Sequence, residues 1–169
     1  TILTIIPVAT VGLNHHMTMR GYFPLMRYSP TLRFTVFGAI AYTVFSLFAV
    51  FISLRSVAGY VQFTEASSAY THLGLYAFFT MVMFGSIYYI LPRCLQVEWP
   101  SARLIRLHFW ATAIGILLYI GPLTYGGVLE GLAMVNPDVP FLDPTKASVV
   151  TITLPYLKIR SGAGFLLAV

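Results

Sequence analysis

The sequence predicts an all-α protein, a bundle of hydrophobic helices that crosses a lipid bilayer several times. Three observations carry this. Of the 169 residues, 58% are apolar and only 9% are charged, whereas a soluble domain carries about 25% charged residues. A chain this apolar has more hydrophobic surface than one small core can hide from water. Three stretches long enough to span the hydrocarbon, which takes about 20 apolar residues, contain no Lys, Arg, Asp or Glu. The charged residues gather in the connections between them. Backbone groups in lipid must pair within the chain, so the spans are helices and not an open sheet.

The elements follow in order. Thr1 to Leu13 is a partial helix, already hydrophobic at its first residues. Asn14 to Arg33 is a connection holding Arg20, Arg27 and Arg33 with no acid. Phe34 to Leu54 is the first full span. A connection from Arg55 to Glu65 follows, with one charge of each sign. Ala66 to Pro92 is the second span, uncharged but containing His72. The next connection, Arg93 to Leu107, sets Arg93, Arg103 and Arg106 against Glu98. His108 to Leu129 is the third span. The fourth connection holds Glu130, Asp138, Asp143 and Lys146, and Asn136, Pro137, Pro140 and Pro144 mark it as irregular. Leu154 to Val169 is a second partial helix. The expectation is three full spans and two truncated helices in a single membrane domain over 1–169, with both ends cut from a longer polypeptide. The arginine-rich first and third connections face the cytoplasm by the positive-inside rule, and the second and fourth face outward.

Composition also excludes. The formal net charge of +5 comes from scattered residues without a basic run, so it carries topology and not nucleic-acid binding. The partner that the composition implies is the bilayer. Cys94 is the only cysteine, which rules out an internal disulfide and a thiolate metal site, and it reads as structural. There is no P-loop, no His-Glu-x-x-His and no Gly-x-Ser-x-Gly turn.

His72 is the most informative residue. It sits about six residues from the outer end of an uncharged span, roughly 9 Å deep at 1.5 Å per residue. A polar side chain there is costly and is a functional candidate, against the alternative of a helix-bridging hydrogen bond. Tyr70, two residues earlier, projects to nearly the opposite face, so one helix can serve a group on each side. Gly59 and Gly74 offer close approach for a ring or a helix. Lys158 and Arg160 fall at the outward start of the last helix, where they either snorkel to headgroups or line a site for an anionic cofactor group. His15 and His16 are two adjacent ligands at most, an incomplete metal site. His108 reads as an interfacial residue, and the run Ser161 to Gly164 as a place of close helix packing.

Several stretches together resemble one family. They are Asn14-His-His-Met-Thr, Ser29-Pro-Thr-Leu-Arg33, Thr71-His-Leu-Gly74, Leu107-His-Phe-Trp110, Gly115-Ile-Leu-Leu-Tyr119, Gly127-Val-Leu-Glu-Gly131 and Pro155 to Gly164. In order and spacing the chain resembles the C-terminal part of the catalytic subunit of cbb-type cytochrome c oxidases, a branch of the haem–copper oxidases. The resemblance covers helices eight to twelve of a twelve-helix fold. It implies that His72 is an axial ligand of the low-spin haem b, that Arg160 is a candidate partner of haem propionates, and that Tyr42 matches a proton-pathway tyrosine. It implies membrane-anchored cytochrome c subunits as partners, a bacterial inner membrane, and oxygen reduction coupled to proton translocation in the intact enzyme. The family's copper ligands and the second ligand of the low-spin haem would precede Thr1. His15 and His16 are not the copper-binding pair. They occupy a connection where the family has Asn-Gly-Leu-Met-Thr. The resemblance breaks at two positions. Tyr70 stands where the family has the ligand of the high-spin haem, and Phe48 where it has a Glu. The alternatives are a degenerate homologue that keeps only the low-spin haem, and a haem-free transporter segment with His72 in a substrate path.

Overall fold

Among the described residues, 2–143 and 146–168 of the computed structural model, every regular element is a helix. They are α1 (Ile5–Met19), α2 (Pro30–Ile52), α3 (Arg55–Val61), α4 (Glu65–His72), a π-helical segment (Leu73–Thr80), α5 (Met81–Leu95), α6 (Ala102–Val135) and α7 (Val149–Leu167). Single turns of 3₁₀ helix lie at Ile2–Thr4 and Phe23–Arg27. The element from α4 through α5 is continuous, so three helices are long and apolar enough to cross a membrane: Pro30–Ile52, Glu65–Leu95 and Ala102–Val135. Thr1, Pro144, Thr145 and Val169 lie outside the described residues, and with them the outermost residues of both truncated helices and one of the three prolines of the fourth connection.

The helices start earlier than the uncharged windows suggest, because hydroxyl caps set their ends. Ser29 accepts from the Leu32 N–H at 3.3 Å and is followed by Pro30, a residue preorganised for the first helical position. Ser101 accepts from the Leu104 N–H at 3.4 Å. Arg33, Arg103, Arg106 and His108 therefore lie inside helices. Ser148 and Thr151 form a reciprocal capping box that starts α7 at Val149, five residues before the expected Leu154. The connection from Arg55 folds into α3. At the other end of the second span, Gln96 takes a left-handed conformation (φ 52°) that closes α5. From Asn136 to Asp143 the fourth connection is irregular, as its prolines require.

Consecutive helices alternate in direction. Rings of Phe34, Tyr88 and His108 meet at 5.3–5.4 Å, which brings the start of α2, the end of α5 and the start of α6 to one end of the bundle. At the other end Glu65 reaches Glu130. The core is built from Phe34, Met81, Ile116 and Leu123, all fully buried. Large apolar side chains such as Leu104, Leu117 and Phe51 are more than half exposed on the outer faces, the arrangement expected of helices that are hydrophobic all round and solvated by lipid.

Small residues decide which helices touch. A methyl group on Gly127 would strike the Ala66 backbone nitrogen, and one on Gly131 the Tyr60 carbonyl oxygen. This pair, four residues apart on α6, lets the α3–α4 backbone lie directly against it. Gly74 faces the Phe45 ring at 2.7 Å from its would-be Cβ, and Gly126 faces Tyr156. Gly59, Gly162 and Gly164 face open space, which corrects the expectation of close packing at those positions. Ala163 is the buried member of that run.

The charges segregate by end. Arg20, Arg27, Arg33, Arg93, Arg103 and Arg106 share one end with Glu98, whereas acids and bases balance at the other. The whole net charge of +5 therefore lies at the arginine end.

Candidate functional site

The site begins with the start of α4. Thr64 caps it by accepting from the Ala66 N–H at 3.3 Å, and the Glu65 N–H donates to the Glu130 carboxylate at 2.8 Å. A carboxylate from α6 thus sits on the positive end of α4. Arg160 of α7 lies 3.7 Å from the other partner, Glu65. One acidic side chain from each of α4 and α6 and one cation from α7 tie three helices together at the end away from the arginines.

Two turns further along α4, His72 is half-buried. Its Nδ1 lies 2.7 Å from the Ser68 carbonyl oxygen. A carbonyl can only accept, so this bond puts the proton on Nδ1 and leaves Nε2 with its lone pair. A backbone partner of this kind orients a metal-bound imidazole and raises its basicity. The ring packs beside Tyr76, at 5.0 Å between centroids, and Tyr119 of α6, at 5.1 Å, and these two rings also touch each other at 5.7 Å. Those two tyrosines form one end of a cavity of about 1020 Å³ that runs between α5, α6 and the end of α7 toward Trp99 and Ser101. His72 itself does not line that space, and the imidazole that does is His108. The donor and its orienting bond fit an axial haem ligand.

Immediately after His72 the chain leaves α-helical geometry for eight residues, Leu73–Thr80. The Thr80 hydroxyl donates to the Leu75 carbonyl at 2.9 Å, five residues back. π-Helical turns are rare and recur at functional sites. Here the wider turn follows the histidine and places Tyr76 beside it.

Tyr70 points the other way, as the helical spacing predicts. Its ring stacks on Phe45 of α2 at 4.7 Å with 10° between planes, and Phe48 lies 6.0 Å away. Beyond Phe48 is a cavity of about 640 Å³ between α2 and α6, whose only polar lining side chain is that of Thr124. His72 and Tyr70 therefore project to different sides of the helix and line neither cavity themselves: one side adjoins a space bordered by tyrosine hydroxyls and His108, the other a space that is almost wholly apolar. Among the described residues no metal-ligating side chain lines the second, so its lining offers no ligand for a high-spin haem.

The remaining candidates fall elsewhere. Lys158 and Arg160 lie in the middle of α7, not at its start, because the Ser148 cap begins the helix earlier. Lys158 is exposed, and Arg160 is partly engaged with Glu65. His15 and His16 lie on α1 itself, not in the connection after it. Both are exposed, beside Tyr42 and Phe23 respectively. Tyr42 packs on Phe78 at 5.1 Å. His108 is inside α6, half-buried, and shares a 2.8 Å hydrogen bond with Tyr88. Cys94 is free and exposed, so it contributes nothing to packing. No group of three or more metal-ligating side chains forms among the described residues. Sequence reasoning missed Glu130, Tyr76 and Tyr119 as members of the site. The i, i+4 spacing of His72 and Tyr76 is the one signal that could have found the second of these.

Comparison with known proteins places these features. The family model for cytochrome c and quinol oxidase polypeptide I matches residues 1–166. The chain is 28% identical over 121 residues to the Cbb3-type cytochrome c oxidase subunit CcoN1 of Stutzerimonas stutzeri, covering 71% of this chain and 26% of that protein. It is 28% identical over 156 residues to cytochrome c oxidase subunit 1 of Rhodobacter capsulatus, covering 91% of this chain and 29% of that one. The bacteroid homologue of cytochrome c oxidase subunit 1 from Bradyrhizobium diazoefficiens is 27% identical over 154 residues, with coverage of 90% and 28%. The chain spans less than a third of the length of these curated relatives.

Proposed function

From the premise that this chain belongs to the cytochrome c and quinol oxidase polypeptide I family, we propose that it is the part of a cbb-type haem–copper oxidase subunit that holds a low-spin haem b through His72. A bound haem supplies one-electron chemistry. The chain's own residues orient the ligand and shape the space beside it. The observation that carries the reading is the Nδ1–Ser68 bond, which leaves Nε2 available in a ring that packs on Tyr76 and Tyr119. Membrane-anchored cytochrome c subunits would be its electron donors, in a bacterial inner membrane. Arg160, and less directly Lys158, would supply positive charge to haem propionates at the outward end, with Glu65 holding Arg160 in place. The test is His72→Ala in the full-length subunit within its complex. The low-spin b-haem band of the reduced-minus-oxidised spectrum should disappear, and a normal band would refute the assignment.

A second reading concerns the other face of the same helix. We propose that the Tyr70 compartment lacks ordinary high-spin haem chemistry, so that the subunit keeps the low-spin haem alone. The phenol ring is stacked on Phe45 and flanked by Phe48, so aromatic rings cover its α2 side. Phenolate can ligate haem iron, but it is anionic and tunes the iron differently from imidazole. Family membership speaks against a transporter segment.

A further inference from the structure

Two guanidinium groups meet at the arginine end without an acid between them. Arg33 lies near the start of α2 and Arg106 near the start of α6. The packing of Phe34 on Phe109 at 5.1 Å joins these two helix starts. The Arg33 guanidinium carbon sits 5.8 Å above the Phe109 ring, and its Nε is buried with no hydrogen-bond partner. Arg106 stands three residues before Phe109 on α6, on the side of the helix that Arg33 covers, so like charges adjoin there. Neither arginine forms an ion pair or a side-chain hydrogen bond among the described residues. Arg33 also stands in the first turn of α2, where the backbone dipole disfavours a cation. The buried Nε of Arg33, the adjoining like charge and the dipole all act against this arrangement, and a bound anion would offset them.

We propose that Arg33 and Arg106 form a binding site for a phosphate group, that of an anionic phospholipid or of free phosphate. Guanidinium groups match phosphate oxygens in planar, two-point fashion. Leu107 and Trp110 beside Arg106 are more than half exposed, an apolar and aromatic border of the kind found where headgroups meet acyl chains.

The experiment uses the full-length subunit in its complex, in nanodiscs of phosphatidylcholine alone, of phosphatidylcholine with phosphatidylglycerol, or of phosphatidylcholine with added inorganic phosphate. Lipid retention is read by native mass spectrometry and stability by the thermal midpoint. Preferential phosphatidylglycerol retention, weakened roughly tenfold or more by Arg106→Gln, as loss of a charged hydrogen bond implies, would establish the lipid source. A midpoint raised by inorganic phosphate and insensitive to phosphatidylglycerol, with the rise lost in Arg106→Gln, would establish the free ion. Arg33→Lys should retain more binding than Arg33→Gln. The exposed Arg55→Gln, at the opposite end, removes the same charge and should leave binding unchanged. Equal retention by wild type and Arg106→Gln with no phosphate effect, or an equal loss in Arg55→Gln, would overturn the proposal.

Discussion

At His72 the bond from Nδ1 to the Ser68 carbonyl does the orienting, and at Tyr70 the stack on Phe45 does. The contrast yields a prediction. Tyr70→His places an imidazole there without changing its surroundings, because Phe45 and Phe48 still fill the α2 side. The variant should show no new carbon-monoxide-reactive haem in a difference spectrum, and a full-strength band would show that Tyr70 alone decides. A second prediction concerns the anchor of α4. Glu130→Ala removes the carboxylate from that helix start and leaves the Glu65 N–H without its partner. The cost should be about 1–2 kcal/mol of stability, with Glu130→Gln costing less because its carbonyl still accepts. Thermal unfolding of the two variants side by side measures this. His72 stood out in the sequence because an imidazole in an uncharged span has few innocent explanations. Glu130 did not, because a carboxylate just past such a span looks like an ordinary interfacial charge until its partner 65 residues away is known.

The helices themselves were largely legible, since three long apolar runs permit little else in lipid. Their ends were not. Ser29, Ser101 and Ser148 lie outside the uncharged windows, and long arginine side chains tolerate a place in a first helical turn by reaching toward water. The π segment left no trace in composition, because Leu73–Thr80 is as apolar as an α-helical span and the wider turn arises from packing. Glycine roles were only partly legible. Spacing pointed to Gly74 but also to Gly59, and only the fold shows which of them has a neighbour. The contrast is testable. Gly127→Leu or Gly131→Leu places a side chain where the α3–α4 backbone now lies, and should destabilise the bundle by at least about 1–3 kcal/mol. Gly162→Leu faces open space and should lie within about 0.5 kcal/mol of wild type. Matched thermal midpoints that fail to separate these variants would refute the α6 packing argument.

For the whole molecule, two compartments on opposite faces of one helix lead to a stoichiometric prediction. The purified full-length subunit should contain one b-type haem at His72 and not two, by pyridine haemochrome assay against protein concentration. Two haems with ordinary oxygen consumption would show that the Tyr70 compartment works despite its lining. The separation of charge between the two ends bears on biosynthesis. In an energised membrane, moving one elementary charge across the potential costs about 2.3 kcal/mol per 100 mV. Inserted the wrong way up, this bundle would carry its net +5 across against the voltage, at roughly 11 kcal/mol per 100 mV. A membrane potential would therefore act as a proofreader of the bundle's orientation.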